Sequence, residues 1–188
     1  MSIISLEALC TRALDAVERT DVRYLVFGGV ALPAWGDVVA TQDLDLVVEV
    51  NEGQVRGLFD TLRAVGFHFG ENAEKLFLID TWARATAGGR DLDLALGVTE
   101  FDRQALSRAV AVRLYGRSVP IASAEDLILY KLIAHRRKDL GHVEDIIFRQ
   151  GTRLKLAYLR EWARRIAETT GKHEIPPTLE KMLEEQGL

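Results

Sequence analysis

Cysteine, proline and long apolar runs are scarce in this 188-residue sequence, and each scarcity excludes a class of protein. The one cysteine, Cys10, excludes both a disulfide framework and a cysteine-rich zinc site. No apolar run approaches the ~20 residues of a membrane span, and the first residues do not resemble a signal peptide. We therefore expect a cytoplasmic protein with no membrane partner. The only proline-rich break is Pro176-Pro177.

Charge is unevenly distributed along the chain. Residues 1–100 carry 8 basic against 16 acidic residues, whereas residues 101–170 carry 14 against 8. An acidic half that holds metal and a basic half that meets polyphosphate or nucleic acid would produce this pattern. A set of solvated, arginine-rich helices would produce it equally well.

The order of predicted elements indicates an α/β (α+β) fold, with a mixed sheet flanked by helices and a helical C-terminal extension. We expect residues 1–122 to form the α/β core and residues 123–188 to pack on it as helices, in one compact unit. The capping box that begins at Ser123 predicts the first of these helices. The predicted strands are 23–27, 44–50, 76–80, 90–97, 110–114 and 117–121, and the predicted helices of the core are 5–19, a short one from Gly28 to Trp35, 51–65 and 102–109.

Two glycines and two aspartates form the most informative motif. The glycines, Gly28 and Gly29, follow a predicted strand, so the backbone there can approach a phosphate closely. The aspartates, Asp43 and Asp45, lie two apart at the start of a Val- and Leu-rich strand and share one sheet face. Two carboxylates so close repel each other unless a cation neutralises them. The motif thus predicts a site for Mg²⁺ (or Mn²⁺) and a phosphate.

This motif resembles the signature of the polymerase-β-like nucleotidyltransferase superfamily. The resemblance implies a minimal nucleotidyltransferase fold and a third carboxylate from a later strand. Asp93, between Leu92 and Leu94, fits that position best, and Asp91 is the substitute. The resemblance also implies that Thr41 binds the nucleotide. Relatives often carry a basic residue where this chain has Val39, which leaves the identity of the substrate open.

The segment 123–139, SAEDLILYKLIAHRRKD, resembles a helix of AbiEii toxin-type proteins. The resemblance implies that Lys131 completes the site by neutralising phosphate charge, with basic residues and an aspartate after it at Arg136, Arg137, Lys138 and Asp139. Alternatively, Lys131 extends into solvent from the border of an apolar stripe, as a surface residue. Asp139 and Asp145 can each belong to the site or pair locally. The three tryptophans are interpreted as packing residues: Trp35, Trp82 and Trp162.

Together these patterns predict a metal-dependent enzyme that transfers a nucleoside monophosphate from an NTP to a hydroxyl of RNA, a protein or a small molecule. Asp43, Asp45 and Asp93 would bind the metal. Gly28, Gly29, Thr41 and Lys131 would bind the nucleotide, and Lys131 would also act in catalysis. The alternative is a non-catalytic nucleotide- or partner-binding module, such as part of a toxin–antitoxin-like pair. An antibiotic-modifying enzyme is a third possibility, and the oligomeric state is left open.

Overall fold

The chain divides into two compact units in the computed structural model, which describes residues 3–36 and 38–188. The first unit comprises Met1–Val30 and Ala40–Ile121, and the second comprises Ala31–Val39 and Ala122–Leu188. Within the described ranges, no helix has the length and apolar character needed to cross a membrane.

The first unit is built on a mixed seven-stranded sheet, which confirms the predicted fold class. The strand order is β3-β4-β5-β2-β1-β7-β6, where the pairs β2–β5 and β1–β7 are parallel and the other pairs are antiparallel. The strands are β1 (Arg23–Phe27), β2 (Leu44–Glu49), β3 (His68–Phe69), β4 (Trp82–Ala87), β5 (Arg90–Leu96), β6 (Val110–Leu114) and β7 (Arg117–Ile121).

Helices of the first unit begin where the sequence provides caps. The Ser5 side chain accepts a hydrogen bond from the Ala8 N–H at the start of α1, and Asn51 and Gln54 form a reciprocal capping box at the start of α3. Helix α1 packs on β2 and β5, and α5 packs on β1 and β2. The helices are α1 (Leu6–Glu18), α2 (Gly28–Ala31, whose last residue joins the second unit), α3 (Glu52–Ala64), α4 (Ala73–Asp80) and α5 (Glu100–Ser107).

The predicted strand over residues 76–80 is wrong, because this segment is the C-terminal part of helix α4. Residues in the left-handed region bound the helix at Asn72 and Thr81, and Phe77 is the one buried side chain that the helix contributes. The strand that pairs with β5 is β4, and the Gly88-Gly89 turn joins the two. Its buried face is made only of alanines, so β4 gave too weak an apolar signal to be recognised.

The second unit is helical, as predicted for the C-terminal part. Ser123 caps the first helix by accepting a hydrogen bond from the Asp126 N–H. The Trp35 indole N–H donates to the Ala122 carbonyl, and the Gln150 amide donates to the Trp35 carbonyl, so the segment around Trp35 is held in this unit. Pro176-Pro177 lies in the first turn of the last helix and does not precede it. The helices are α6 (Ala124–Ala134), α7 (Arg137–Gln150), α8 (Leu156–Thr170) and α9 (Ile175–Glu185).

Candidate functional site

The sheet register places Asp45 and Asp93 side by side. Strands β2 and β5 are parallel neighbours, and Asp45 is the direct partner of Asp93 in their register. Side chains of paired residues emerge on the same face of a sheet. Leu44 and Leu46 point to the opposite face and are fully buried. The alternation of acid and leucine in both strands therefore brings two of the predicted carboxylates together.

Gly28 lies directly against the carboxylate of Asp45. Phe27, the last residue of β1, pairs with Asp45 across the sheet, and Gly28 follows with a φ of +70°. A Cβ atom on Gly28 would lie 1.9 Å from Asp45 Oδ2, so no other residue fits without moving that carboxylate. Gly28 is thus required both by its backbone conformation and by the close approach.

Gly29, Thr41 and Asp43 form the adjoining part of the site. A Cβ atom on Gly29 would lie 2.6 Å from Thr41 Oγ1, which shows how tightly the turn packs on the threonine. Thr41 Oγ1 in turn donates a hydrogen bond of 3.3 Å to the Asp43 carbonyl. The structure therefore gathers four residues of the predicted motif, Gly28, Gly29, Thr41 and Asp45, around the start of β2, with Asp43 immediately before that strand.

Arg84 binds the third carboxylate, and the sequence analysis had not identified it. Arg84 is the cross-strand partner of Asp93. Its Nε and Nη2 donate to the two carboxylate oxygens of Asp93 at 2.7 and 2.8 Å, and its Nη1 lies 3.3 Å from Asp91 Oδ2. The hydrogen bonds to Asp93 and the charges of Asp93, Asp91 and Asp43 raise the pKa of Arg84 above its ordinary value, against the opposing effect of burial. One guanidinium therefore binds Asp93, lies beside Asp91 and interacts electrostatically with Asp43.

A metal ion would find suitable donor atoms here, but not a ready ligand set. Carboxylate oxygens are the ligands that Mg²⁺ prefers, and Asp43, Asp45 and Asp93 supply them near the start of β2. Both oxygens of Asp93 are occupied by Arg84, however. Over residues 3–36 and 38–188, no three or more His, Cys, Asp or Glu residues form a group that could hold a metal ion. The positions and donor atoms of Asp43, Asp45 and Asp93 suit a metal ion, whereas the Asp93 side chain is oriented to bind Arg84.

Lys131 lies in the second unit and is buried, so its interpretation as a surface residue is wrong. Its side chain is 8% exposed, and Nζ donates to Asp139 Oδ1 at 3.0 Å. Arg136 donates to the other oxygen of the fully buried Asp139 at 2.5 Å. Burial raises the pKa of Asp139, but the hydrogen bonds from Arg136 and Lys131 outweigh it and leave the pKa below its ordinary value. Asp139 therefore pairs locally, and Asp145 is half-buried on α7.

A cavity of about 230 Å³ opens beside Arg84 in the first unit. Trp82, which the sequence suggested as a packing residue, is 47% exposed and lines this cavity. The Arg84 guanidinium carbon lies 5.3 Å from the centroid of the Trp82 ring. The other lining residues are Gly70, Glu71, Ala73, Leu76, Asp80 and Ala83.

The signal for Arg84 was present in the sequence. A two-residue turn at Gly88-Gly89 pairs Ala87 with Arg90, and the same register continued along the hairpin pairs Arg84 with Asp93. Placing the strand at 76–80 concealed this pairing.

Comparisons with known proteins found similarity only at the level of structure. No protein-family model matches the sequence, and no curated protein matches it. The solution structure of the antibiotic-resistance factor ANT(2'')-Ia aligns with a TM-score of 0.61 and 19% identity, over 89% of this chain and 96% of that one. The lincosamide antibiotic adenylyltransferase LnuA, with lincomycin bound, aligns with a TM-score of 0.52 and 13% identity, over 78% of this chain and 98% of that one. An antigenic nucleotidyltransferase-like protein from Paracoccidioides brasiliensis aligns with a TM-score of 0.50 and 17% identity, over 93% of this chain and 95% of that one.

These likenesses concern the fold, because all three identities are below 25%. The chain has the nucleotidyltransferase fold, as the resemblance of the Gly-Gly and aspartate motif implied.

Proposed function

We propose that this protein is a metal-dependent nucleotidyltransferase that transfers a nucleoside monophosphate from an NTP to a hydroxyl acceptor. The observation that carries the proposal is the register of β2 and β5, which sets Asp45 beside Asp93 and packs the backbone of Gly28 on the Asp45 carboxylate. Two carboxylates on one sheet face offer the oxygen ligands that a divalent cation binds, although Arg84 already balances the charge of Asp93. A carboxylate pair beside a glycine turn with no room for a side chain is what a phosphate-and-metal site requires.

Asp43, Asp45 and Asp93 would hold Mg²⁺ or Mn²⁺. When bound, the metal supplies neutralising charge for the triphosphate and activates the attacking hydroxyl. Gly28 is buried against Asp45 and Gly29 is half-buried, so the turn that they form would bring backbone close to the phosphates chiefly at Gly29, where Thr41 packs on it. The protein thus contributes position and electrostatics, which dominate phosphoryl-type transfer. A role of Lys131 in the same reaction stays a prediction of the AbiEii-type resemblance.

The acceptor is proposed by class. One solved structure of ANT(2'')-Ia is a complex with adenylyl-2''-tobramycin, at a TM-score of 0.60 and 19% identity, and the LnuA structure is bound to lincomycin. These neighbours make small-molecule alcohols the first acceptors to test, followed by RNA ends and protein hydroxyls.

The test is a transfer assay with each α-³²P-labelled NTP, Mg²⁺ or Mn²⁺, and separate pools of small molecules, RNA and proteins. We expect label to enter one pool with the wild type and not with Asp43→Asn/Asp45→Asn. Glu49→Gln is the control, because Glu49 lies on the same strand but pairs with Arg23 at its far end. Transfer that survives in the double variant would overturn the assignment of these aspartates.

The alternative function, a non-catalytic nucleotide- or partner-binding module, is favoured by one observation. Arg84 occupies both oxygens of Asp93, as a structural ion pair would. Nucleotide binding without transfer to any pool would support this alternative.

A further inference from the structure

Arg84 and a metal ion would need the same oxygens of Asp93. The guanidinium takes both carboxylate oxygens in a two-bonded pair, at 2.7 and 2.8 Å. Such pairs are stronger than single charge-assisted hydrogen bonds and hold the carboxylate in one orientation. The Asp93 side chain is 13% exposed and the Arg84 side chain is 46% exposed, so water screens this pair only in part. A metal that binds Asp93 must replace at least one of these two bonds.

The surroundings of Arg84 offer the released side chain a second position. Its side chain is 46% exposed and belongs to the wall of the cavity beside Trp82. Arg84 Nη1 also lies 3.3 Å from Asp91 Oδ2, which gives the guanidinium a second anionic neighbour. Departure from Asp93 therefore does not require Arg84 to lose every anionic partner.

We infer that Arg84 is a built-in competitor for the metal, a cation that holds the third carboxylate until the metal displaces it. The inference rests on the proposed function, since it concerns the same carboxylates. If two cations compete for one carboxylate, each weakens the binding of the other by the same factor. Removing Arg84 should then tighten metal binding, whereas removing a residue that merely supports the site should weaken it.

The experiment measures Mn²⁺ binding without nucleotide, from the electron paramagnetic resonance signal of free Mn²⁺. We expect Arg84→Gln to lower the Kd for Mn²⁺ by roughly 5- to 100-fold, in the range of ordinary coupling between sites. The Kd of Arg84→Lys for Mn²⁺ should lie between those of the wild type and Arg84→Gln, because an ammonium keeps the charge but not the planar fork of the guanidinium. Arg23→Gln is the matched control, since Arg23 makes a cross-strand ion pair with Glu49 on the same sheet and its loss changes net charge equally.

A second pair of variants separates competition at Asp93 from simple charge repulsion. In an Asp93→Asn background, Arg84→Gln should leave the Mn²⁺ affinity almost unchanged, because the contested oxygens are gone. Equal tightening in both backgrounds would show long-range repulsion and overturn the inference. Urea denaturation of each variant establishes that the proteins compared are folded.

Two further outcomes of the Mn²⁺ measurement would also test the inference. An unchanged or higher Kd in Arg84→Gln, with Mn²⁺ binding that still requires Asp43 and Asp45, would overturn the inference and leave the proposed function standing. No saturable Mn²⁺ binding in the wild type and in Arg84→Gln would overturn the inference. The transfer assay would then decide the proposed function separately, because substrate phosphates can complete a site of this kind.

Discussion

At the scale of single residues, Gly28 is the most constrained position of the site. Its φ of +70° disfavours any residue with a Cβ atom, and the Asp45 carboxylate occupies the space where that atom would lie. These two constraints are independent, because the first belongs to the backbone and the second to the site. They can be separated by a control glycine that has only the first.

We predict that Gly28→Ala lowers the free energy of unfolding by about 1 to 2 kcal/mol from the backbone alone and also abolishes stabilisation by Mn²⁺–ATP. Gly116→Ala is the control, because Gly116 has a φ of +78° and nothing within 4 Å of its would-be Cβ. It should show a similar loss of stability and an unchanged ligand-induced rise in Tm. Thermal unfolding with and without Mn²⁺–ATP measures both effects. A normal ligand response in Gly28→Ala would contradict the role given to this close approach.

Asp139 is the carboxylate that neutralises the buried lysine of the second unit. It is fully buried and balances Lys131 and Arg136. Asp139→Asn should lower the free energy of unfolding by about 3 kcal/mol, because it leaves the Lys131 charge buried without a counterion. Asp145→Asn, on the same helix but half-buried, should change it by no more than about 0.5 kcal/mol. Urea denaturation at neutral pH measures the difference.

The pH dependence of that difference has a defined sign. Because the pKa of Asp139 is lower in the folded protein than its ordinary value of 3.8, its contribution is complete above that value and is lost as the pH falls through the lowered folded pKa. The gap between wild type and Asp139→Asn should therefore be constant above about pH 5 and narrow below pH 3.8. A gap that widens in acid would show that Asp139 is protonated in the folded protein.

At the scale of elements, α4 shows where backbone conformation overrides an apolar pattern. The helix ends at Thr81, a β-branched residue with a φ of +58°. That conformation is strained for a threonine and ordinary for a glycine.

Thr81→Gly should raise the free energy of unfolding by about 0.5 kcal/mol, since relief of the left-handed strain exceeds the added entropy of the unfolded chain. Thr86→Gly is the control, because Thr86 is exposed in the middle of β4 and glycine weakens a strand. Chemical denaturation should therefore give opposite signs for the two variants. Two losses of equal size would show that Thr81 is not strained.

The sequence predicted most elements because their signals are local. The caps at Ser5, Asn51 and Ser123 each lie within three residues of the groups they satisfy. The sequence does not predict strand β4, because the buried face of this strand consists of alanines. It predicts a strand in place of α4, because Leu76 and Ile79 make the segment apolar although both are exposed. Neither error could be corrected from composition alone. The correct register around Gly88-Gly89 would have corrected both and shown Arg84.

The contrast between local signals and contacts across elements also explains which residues of the site the sequence predicts. Asp43 and Asp45 are two apart in sequence, and Gly28 and Gly29 are adjacent, so their local pattern is sufficient to propose them as site residues. The pairing of Asp93 with Arg84 depends on a hairpin, and the burial of Lys131 depends on how α6 and α7 pack. Burial and ion pairing are set by packing between elements, which a single sequence indicates only through patterning.

At the scale of the whole molecule, ligand binding and global unfolding are linked, because a ligand that binds only the folded chain stabilises it by mass action. Asp43 and Asp45 belong to the first unit together with Asp93, which Arg84 already neutralises in part. In the proposed site the metal would bind Asp43 and Asp45 together with Asp93, so the removal of Asp43 and Asp45 should have two separable effects on unfolding.

We predict that Asp43→Asn/Asp45→Asn unfolds at an equal or higher temperature than the wild type without ligand, because two neighbouring like charges are removed. It should show no rise in Tm with Mn²⁺–ATP, whereas the wild type gains roughly 3 kcal/mol at a ligand concentration about 100 times the Kd. The ligand-induced shift is the quantity to compare, since the starting temperatures differ. Glu49→Gln, which removes an acid from the far end of β2, should keep the full shift. Equal ligand-induced shifts in the wild type and the double variant would place the metal and nucleotide elsewhere in the molecule.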